Sequence, residues 1–158
     1  MFNRRRKPAP DIRSAAVALI ARRDFSRAGL VERLVRKGYP KPAAEEVALA
    51  LVDQRLLDDA RYVENFVRRE ATSGHGPLRI RQALQAEGIA GEAIEAALAA
   101  GEHDFAGICG KLRARRFGEE LPATWEERVR QARFLQYRGF SSDHIRAALK
   151  ADPSLPEE

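Results

Sequence analysis

Gly74-His75-Gly76, followed by Pro77 and a basic run in SGHGPLRIRQALQAEGI, is the stretch of this sequence that comes nearest to a phosphate-gripping loop. Such a loop needs successive backbone N–H donors leading into a helix and usually ends in Gly-Lys-Ser or Gly-Lys-Thr. Pro77 removes a donor and no such ending follows. Asp58 and Asp59 could be taken for paired carboxylates. Adjacent side chains on a helix diverge, however, and acidic residues at a helix start cap its amides and complement its dipole, so both are assigned as structural caps. His75, His103 and His144 share no segment and no i,i+4 spacing, and the single Cys109 rules out an internal disulfide and a multi-cysteine zinc site. Cys109 reads as a small buried apolar residue. With no catalytic or metal-binding constellation, the expectation is a protein that is not an enzyme and carries no cofactor.

The elements that hold these residues are helical. Alternating Val/Ile/Tyr runs are missing, and Ala, Leu, Glu, Arg and Gln dominate most windows. Aligning Gly38, Gly88 and Gly139 exposes a repeat: Leu34, Leu84 and Leu135 stand four residues before, and Tyr39, Ile89 and Phe140 directly after. A glycine can take the left-handed position that ends a helix, and the apolar residue beyond it folds back on the last turn. Each unit is therefore helix, stop, helix, completed by a preceding helix at roughly 14 to 23, 59 to 72 and 103 to 117.

The expected fold is all-α, an elongated array of three tandem three-helix modules: 14–57, 58–101 and 102–150, with a basic flexible tail at 1–13 and an acidic tail at 151–158. Ser141 is placed as a cap and Pro42 in a first helical turn. Tyr62, Val63, Phe66 and Val67, continued by Ile80 and Leu84, form the apolar stripe of the second module. Gly74 and Gly76 are read as a flexible hinge between its first two helices. Trp125 is read as a buried support of the third module, the alternative being an exposed anchor for a partner.

Charge adds a partner class. The formal net charge is +5, and 23 of the 28 basic residues are arginine, which suits bidentate contacts to phosphate or carboxylate, although a GC-rich genome gives the same bias. The modules carry +3, −2 and +3, between tails of +4 and −3. Basic flanks around a mildly acidic middle point to polyanionic partners at the ends. The candidate partner- or DNA-binding residues are Arg68, Arg69, Arg79, Arg81, Lys111, Arg113, Arg115, Arg116, Arg130, Arg133 and Arg138, each also readable as part of a solvated helix face. No apolar run reaches the ~20 residues of a membrane span, and no hydrophobic stretch follows the N-terminal charges at signal-peptide spacing. The expected location is the cytoplasm.

The run LLDDARYVENFVRREATSGHGPLRIRQALQAEGI resembles the signature of the RecX regulatory proteins, through Leu57, Asp58, Asp59, Arg61, Tyr62, Phe66, Gly74, Gly76, Ile80, Leu84 and Gly88-Ile89. ARRDFSRAGLVERLVRKGY and RFLQYRGFSSDHIRAAL resemble that family's first and third modules. Two residues depart from it: Gly29, where an acidic residue is frequent, and Arg55, where glycine commonly precedes Leu-Leu. The resemblance implies a protein that binds the RecA recombinase filament on single-stranded DNA and lowers its ATPase, strand-exchange and coprotease activities; the chain is expected to be a monomer, and any contact with the DNA weak or indirect. A direct DNA-binding protein built of helix-turn-helix-like modules is the alternative.

Overall fold

The computed structural model describes residues 9–101 and 103–150, and all regular structure among them is helical. Residues 1–8 of the basic tail and the acidic tail 151–158 lie outside the described residues. The chain divides into two compact units, residues 1–62 and 63–158.

In the first unit α1 (Ile12–Arg22), α2 (Arg27–Arg36) and α3 (Lys41–Asp53) pack pairwise. Leu30, Leu34 and Leu51 are fully buried at the centre, joined by Ala16, Phe25 and Leu57. Burial of each large apolar side chain contributes about 1.5–3 kcal/mol. The helix starts are capped locally: Asp11 Oδ1 accepts from the amide of Ser14 at 2.6 Å and Ser26 Oγ from Gly29 at 3.0 Å. The two consecutive aspartates act on different helices. Asp58 Oδ1 accepts from Arg61 N at 3.2 Å, within its own first turn, whereas Asp59 Oδ1 accepts from Arg27 N at 2.7 Å, at the start of α2. That amide has no partner within α2, so the carboxylate satisfies a donor the helix leaves open.

The second unit contains most of α4 (Asp59–Thr72), then α5 (Pro77–Ala86), α6 (Gly91–Ala100), α7 (Phe105–Phe117), α8 (Trp125–Tyr137) and α9 (Ser142–Leu149). Helices α7, α8 and α9 pack pairwise and α5 packs on α6. Val63, Phe66, Val67, Ile80 and Leu84 are buried, as are Leu135 and Phe140.

The leucine-to-glycine spacing has a definite backbone cause. Tyr39, Ile89 and Phe140 donate their amides to the carbonyls of Leu34, Leu84 and Leu135 at 3.1–3.2 Å, and the intervening Gly38, Gly88 and Gly139 have φ of +102°, +80° and +95°. This is the six-residue helix stop in which the residue after a left-handed position bonds back across the last turn. The same closure ends α4, through Gly74 (φ +79°), with His75 N donating to Glu70 O at 3.0 Å. The pair that is apolar elsewhere is here His75 and Glu70, whose Nδ1 and Oε2 lie 2.5 Å apart.

A further copy ends α3, where Leu56 N donates to Leu51 O at 2.9 Å and the left-handed residue is Arg55, at φ +59°. A side chain there clashes with the following carbonyl, which glycine avoids. Arg55→Gly is therefore expected to stabilise the chain by about 1 kcal/mol, raising the melting temperature by about 2–4 °C in a thermal scan. An unchanged or lower melting temperature would contradict the strain.

Candidate partner-binding surface

Gly74-His75-Gly76 is a docking point within the second unit rather than a flexible hinge. Gly76 N donates to Arg138 O at 2.9 Å and Leu78 N to Gly139 O at 3.0 Å, so the start of α5 is pinned to the stop between α8 and α9. A Cβ on Gly76 would lie 2.2 Å from Gly139 O, and one on Gly139 would lie 2.4 Å from Arg79 Cβ. The hinge reading fails because the free amides beyond Gly74 are taken up by the third helix trio, which leaves the segment no slack. Pro77 is buried at the start of α5, where its missing amide costs nothing.

Three of the candidate cations are engaged inside the fold. Arg113 is 4% exposed; its guanidinium donates to Glu120 O at 3.2 Å and Glu119 O at 3.3 Å and reaches Gln131 Oε1 at 3.5 Å. It cannot meet a partner, because its side chain holds the loop after α7. Arg138 donates to Ser73 O at 2.8 Å and Gly74 O at 3.3 Å, fastening the same docking point. Arg81 is paired with both oxygens of Glu95 at 2.6 and 3.2 Å, and that bond holds the Glu95 carboxyl below its usual range.

The others face solvent. Arg68 bonds to Asn65 Oδ1 at 3.3 Å, Arg69 lies over the Phe66 ring at 5.5 Å, and Arg116 over Phe134 at 5.6 Å. Arg79, Lys111, Arg115, Arg130 and Arg133 are exposed. The fold gathers Arg68, Lys111 and Arg115 around one groove of about 310 Å³, beside Thr72, Ser73 and His103, and among the described residues no carboxylate lines it. Lys111 and Arg115 are one turn apart on α7, and Arg68 comes from α4, so no single segment of sequence displays this cluster. A concave, single-sign site of this kind concentrates field lines and attracts anions.

A second groove, about 660 Å³, is lined by Arg79, Arg81, Gln82, Gln85, Gln136 and Tyr137. Tyr137 is 82% exposed at the end of α8. Trp125 is likewise not a buried support: it is 72% exposed at the first position of α8. Thr124-Trp125-Glu126-Glu127 explains this. Thr124 Oγ1 accepts from Glu127 N at 3.2 Å and Glu127 Oε2 reaches back to accept from Ala123 N at 3.1 Å, a variant of the capping box that fixes Trp125 in the first turn. That spacing was the available sequence signal for its position.

The described residues contain no cluster of three or more His, Cys, Asp or Glu able to hold a metal ion. His103 and His144 flank the Phe105 ring, at 5.8 and 6.1 Å between centroids, as packing partners. Cys109 is fully buried, and burial pushes its thiol up to about 12, which leaves almost no thiolate near neutral pH. None of the described helices is long and apolar enough to cross a membrane.

Residues 58–98 match the family description "RecX, second three-helix domain" and residues 108–149 match "RecX, third three-helix domain". The chain is 41% identical over 140 residues to the regulatory protein RecX of Halorhodospira halophila, covering 89% of this chain and 87% of that one. It is 41% identical over 137 residues to the regulatory protein RecX of Xanthomonas axonopodis pv. citri, covering 87% and 85%. Among solved structures, RecX from Lactobacillus salivarius superposes with a TM-score of 0.73 at 23% identity, over 88% of this chain and 92% of that one. A second crystal structure of regulatory protein RecX gives 0.72 at 24% identity, over 90% and 73%. At those identities the superpositions speak to the fold.

Proposed function

Because this chain belongs to the RecX family of regulatory proteins, we propose that it binds the RecA recombinase filament on single-stranded DNA and inhibits its ATPase, strand-exchange and coprotease activities. The observation that carries this reading is the groove of Arg68, Lys111 and Arg115, which offers three cations and, among the described residues, no carboxylate to a polyanionic assembly. Chemistry is not required for such a role. Helical trios, each held by its helix stops, can offer several binding points, and effective concentration then lets modest contacts sum to firm attachment. Occupying the filament surface blocks subunit addition or the approach of a second strand.

The partner and DNA candidates that remain exposed are Arg68, Arg69, Arg79, Lys111, Arg115, Arg116, Arg130 and Arg133. Sub-stoichiometric amounts of the chain are expected to slow RecA's DNA-dependent ATPase. Replacing Lys111 and Arg115 together by Glu should weaken filament binding about tenfold or more, since reversing charges in a single-sign site turns attraction into repulsion. An unchanged ATPase at saturating protein would remove the proposal. Tight, steeply salt-dependent binding to bare DNA with no effect on the recombinase would favour a direct DNA-binding role instead.

A further inference from the structure

The groove of about 660 Å³ between α5 and the end of α8 is lined by residue types that suit a nucleobase better than a bare charge. Arg79, Gln82 and Gln85 follow one another at spacings of three along α5, on one face, and Gln136 and Tyr137 form the opposite wall. Tyr137 is 82% exposed, which leaves its ring open to solvent. The three glutamines are exposed as well, and each primary amide offers two donors and an acceptor. Both walls are fixed in advance. Leu78 N donates to Gly139 O at 3.0 Å, and the stem of Arg79 lies so near Gly139 that a Cβ there would meet Arg79 Cβ at 2.4 Å. A site already formed spares the ordering cost of binding.

We propose that this groove binds single-stranded nucleic acid directly, with a base stacked on Tyr137, the base edge against the glutamine amides and the adjoining phosphate at Arg79. The charge balance is definite. Arg81 contributes no free cation, because Glu95 takes up its guanidinium at 2.6 and 3.2 Å. Arg79 makes no ion pair with a described residue, and among the described residues no carboxylate lines the groove. One unpaired cation beside an open ring and three amides matches one nucleotide, which brings one phosphate, one π-face and one edge of mixed donors and acceptors. An apolar peptide side chain would strip water from the amides and return no hydrogen bond. An acidic peptide would find more cations in the groove of Arg68, Lys111 and Arg115, which shares no lining residue with this one. A duplex keeps its bases stacked on each other, so its π-faces are closed to Tyr137. Every base has a π-face, so the contact tolerates any sequence. The site stands without the recombinase and adds a direct hold on the strand to the regulatory reading.

Fluorescence anisotropy at low salt tests this with the full chain and three labelled probes of equal length: oligothymidine, the same strand made abasic, and a duplex. Oligothymidine is expected to bind about tenfold more tightly than the abasic strand, which keeps the phosphates and lacks the rings. Tyr137→Ala should weaken oligothymidine binding about tenfold, leave the abasic strand unaffected and keep the melting temperature, whereas Tyr137→Phe should bind as the wild type does. Arg79→Gln should weaken both single strands and lower the salt slope by about one unit. Oligouridine in place of oligothymidine separates RNA from DNA, and binding of either strand through Tyr137 supports the site. Equal affinity for the base-bearing and abasic strands would overturn the proposal, since the chain would then hold phosphates only. So would duplex binding as tight as oligothymidine, unweakened binding by Tyr137→Ala, a loss in Tyr137→Phe as large as in Tyr137→Ala, or no binding by the wild-type chain. None of these readings involves RecA. A chain that slows the recombinase ATPase yet fails them keeps its regulatory function and loses this site.

Discussion

Gly76→Ala is expected to lower the stability of the second unit by about 3 kcal/mol, far more than a methyl group on an exposed turn should cost. The backbone at Gly76 is extended, with φ −86° and ψ 168°, a conformation any residue adopts, so no strain arises in the residue itself. The cost lies across the contact. The new Cβ would sit 2.2 Å from Gly139 O and 2.4 Å from Phe140 N, both backbone atoms of a helix stop already fixed by Gly139 N to Gln136 O and Phe140 N to Leu135 O at 3.0 and 3.2 Å. That stop cannot yield without unwinding α8. The start of α5 must therefore lift, breaking Gly76 N to Arg138 O and Leu78 N to Gly139 O, and a buried amide or carbonyl left unpaired costs about 1–3 kcal/mol.

Gly88→Ala is the control. Gly88 has φ +80° but open space around a Cβ, so its substitution should cost only about 1 kcal/mol of left-handed strain. Urea denaturation of the two variants, with hydrogen exchange at the Leu78 amide, measures the difference. Equal losses would show that the α5 contact with Gly139 contributes nothing.

The second large effect belongs to Arg113, a cation buried among carbonyl and amide oxygens with no carboxylate beside it among the described residues. Arg113→Ala should cost about 3 kcal/mol: it empties the space the side chain fills and releases the carbonyls of Glu119 and Glu120. Arg113→Met keeps the apolar stem and removes a charge that burial disfavours, so it should cost less than half as much. Neither variant should change the affinity for RecA filaments or for DNA when measured below its melting transition. Lys111→Glu with Arg115→Glu should do the opposite, leaving the melting temperature within about 2 °C and weakening binding. A loss of binding by Arg113→Met in a folded chain would return Arg113 to the partner surface.

These expectations separate what local rules reveal from what they miss. The helix stops were legible because the pattern Leu, three residues, Gly, apolar is a six-residue device whose donor and acceptor are both inside it. The same is true of the cap at Ser141, where the hydroxyl accepts from His144 N at 3.3 Å, and of Asp58. The device at Gly74 was harder to see because its pair is His75 and Glu70 rather than two apolar residues, and the one at α3 because Arg55 occupies the position that glycine normally takes.

The sequence by itself determined the helical character of the chain, the stops that cut it, the apolar stripe through Tyr62, Phe66, Ile80 and Leu84, and family membership, since all of these depend on residues within a few turns of one another. Tertiary structure alone decided what each arginine does. Arg113, Arg138 and Lys111 are equally plausible cations on paper, yet one is buried under a loop, one clamps a carbonyl 64 residues away, and one stays exposed beside Arg68 and Arg115. A long flexible side chain carries no local signal of its partner; its environment is set by which helices meet. Asp59 reaching Arg27, the docking of Gly76 on Gly139 and the exposure of Trp125 follow from the same cause.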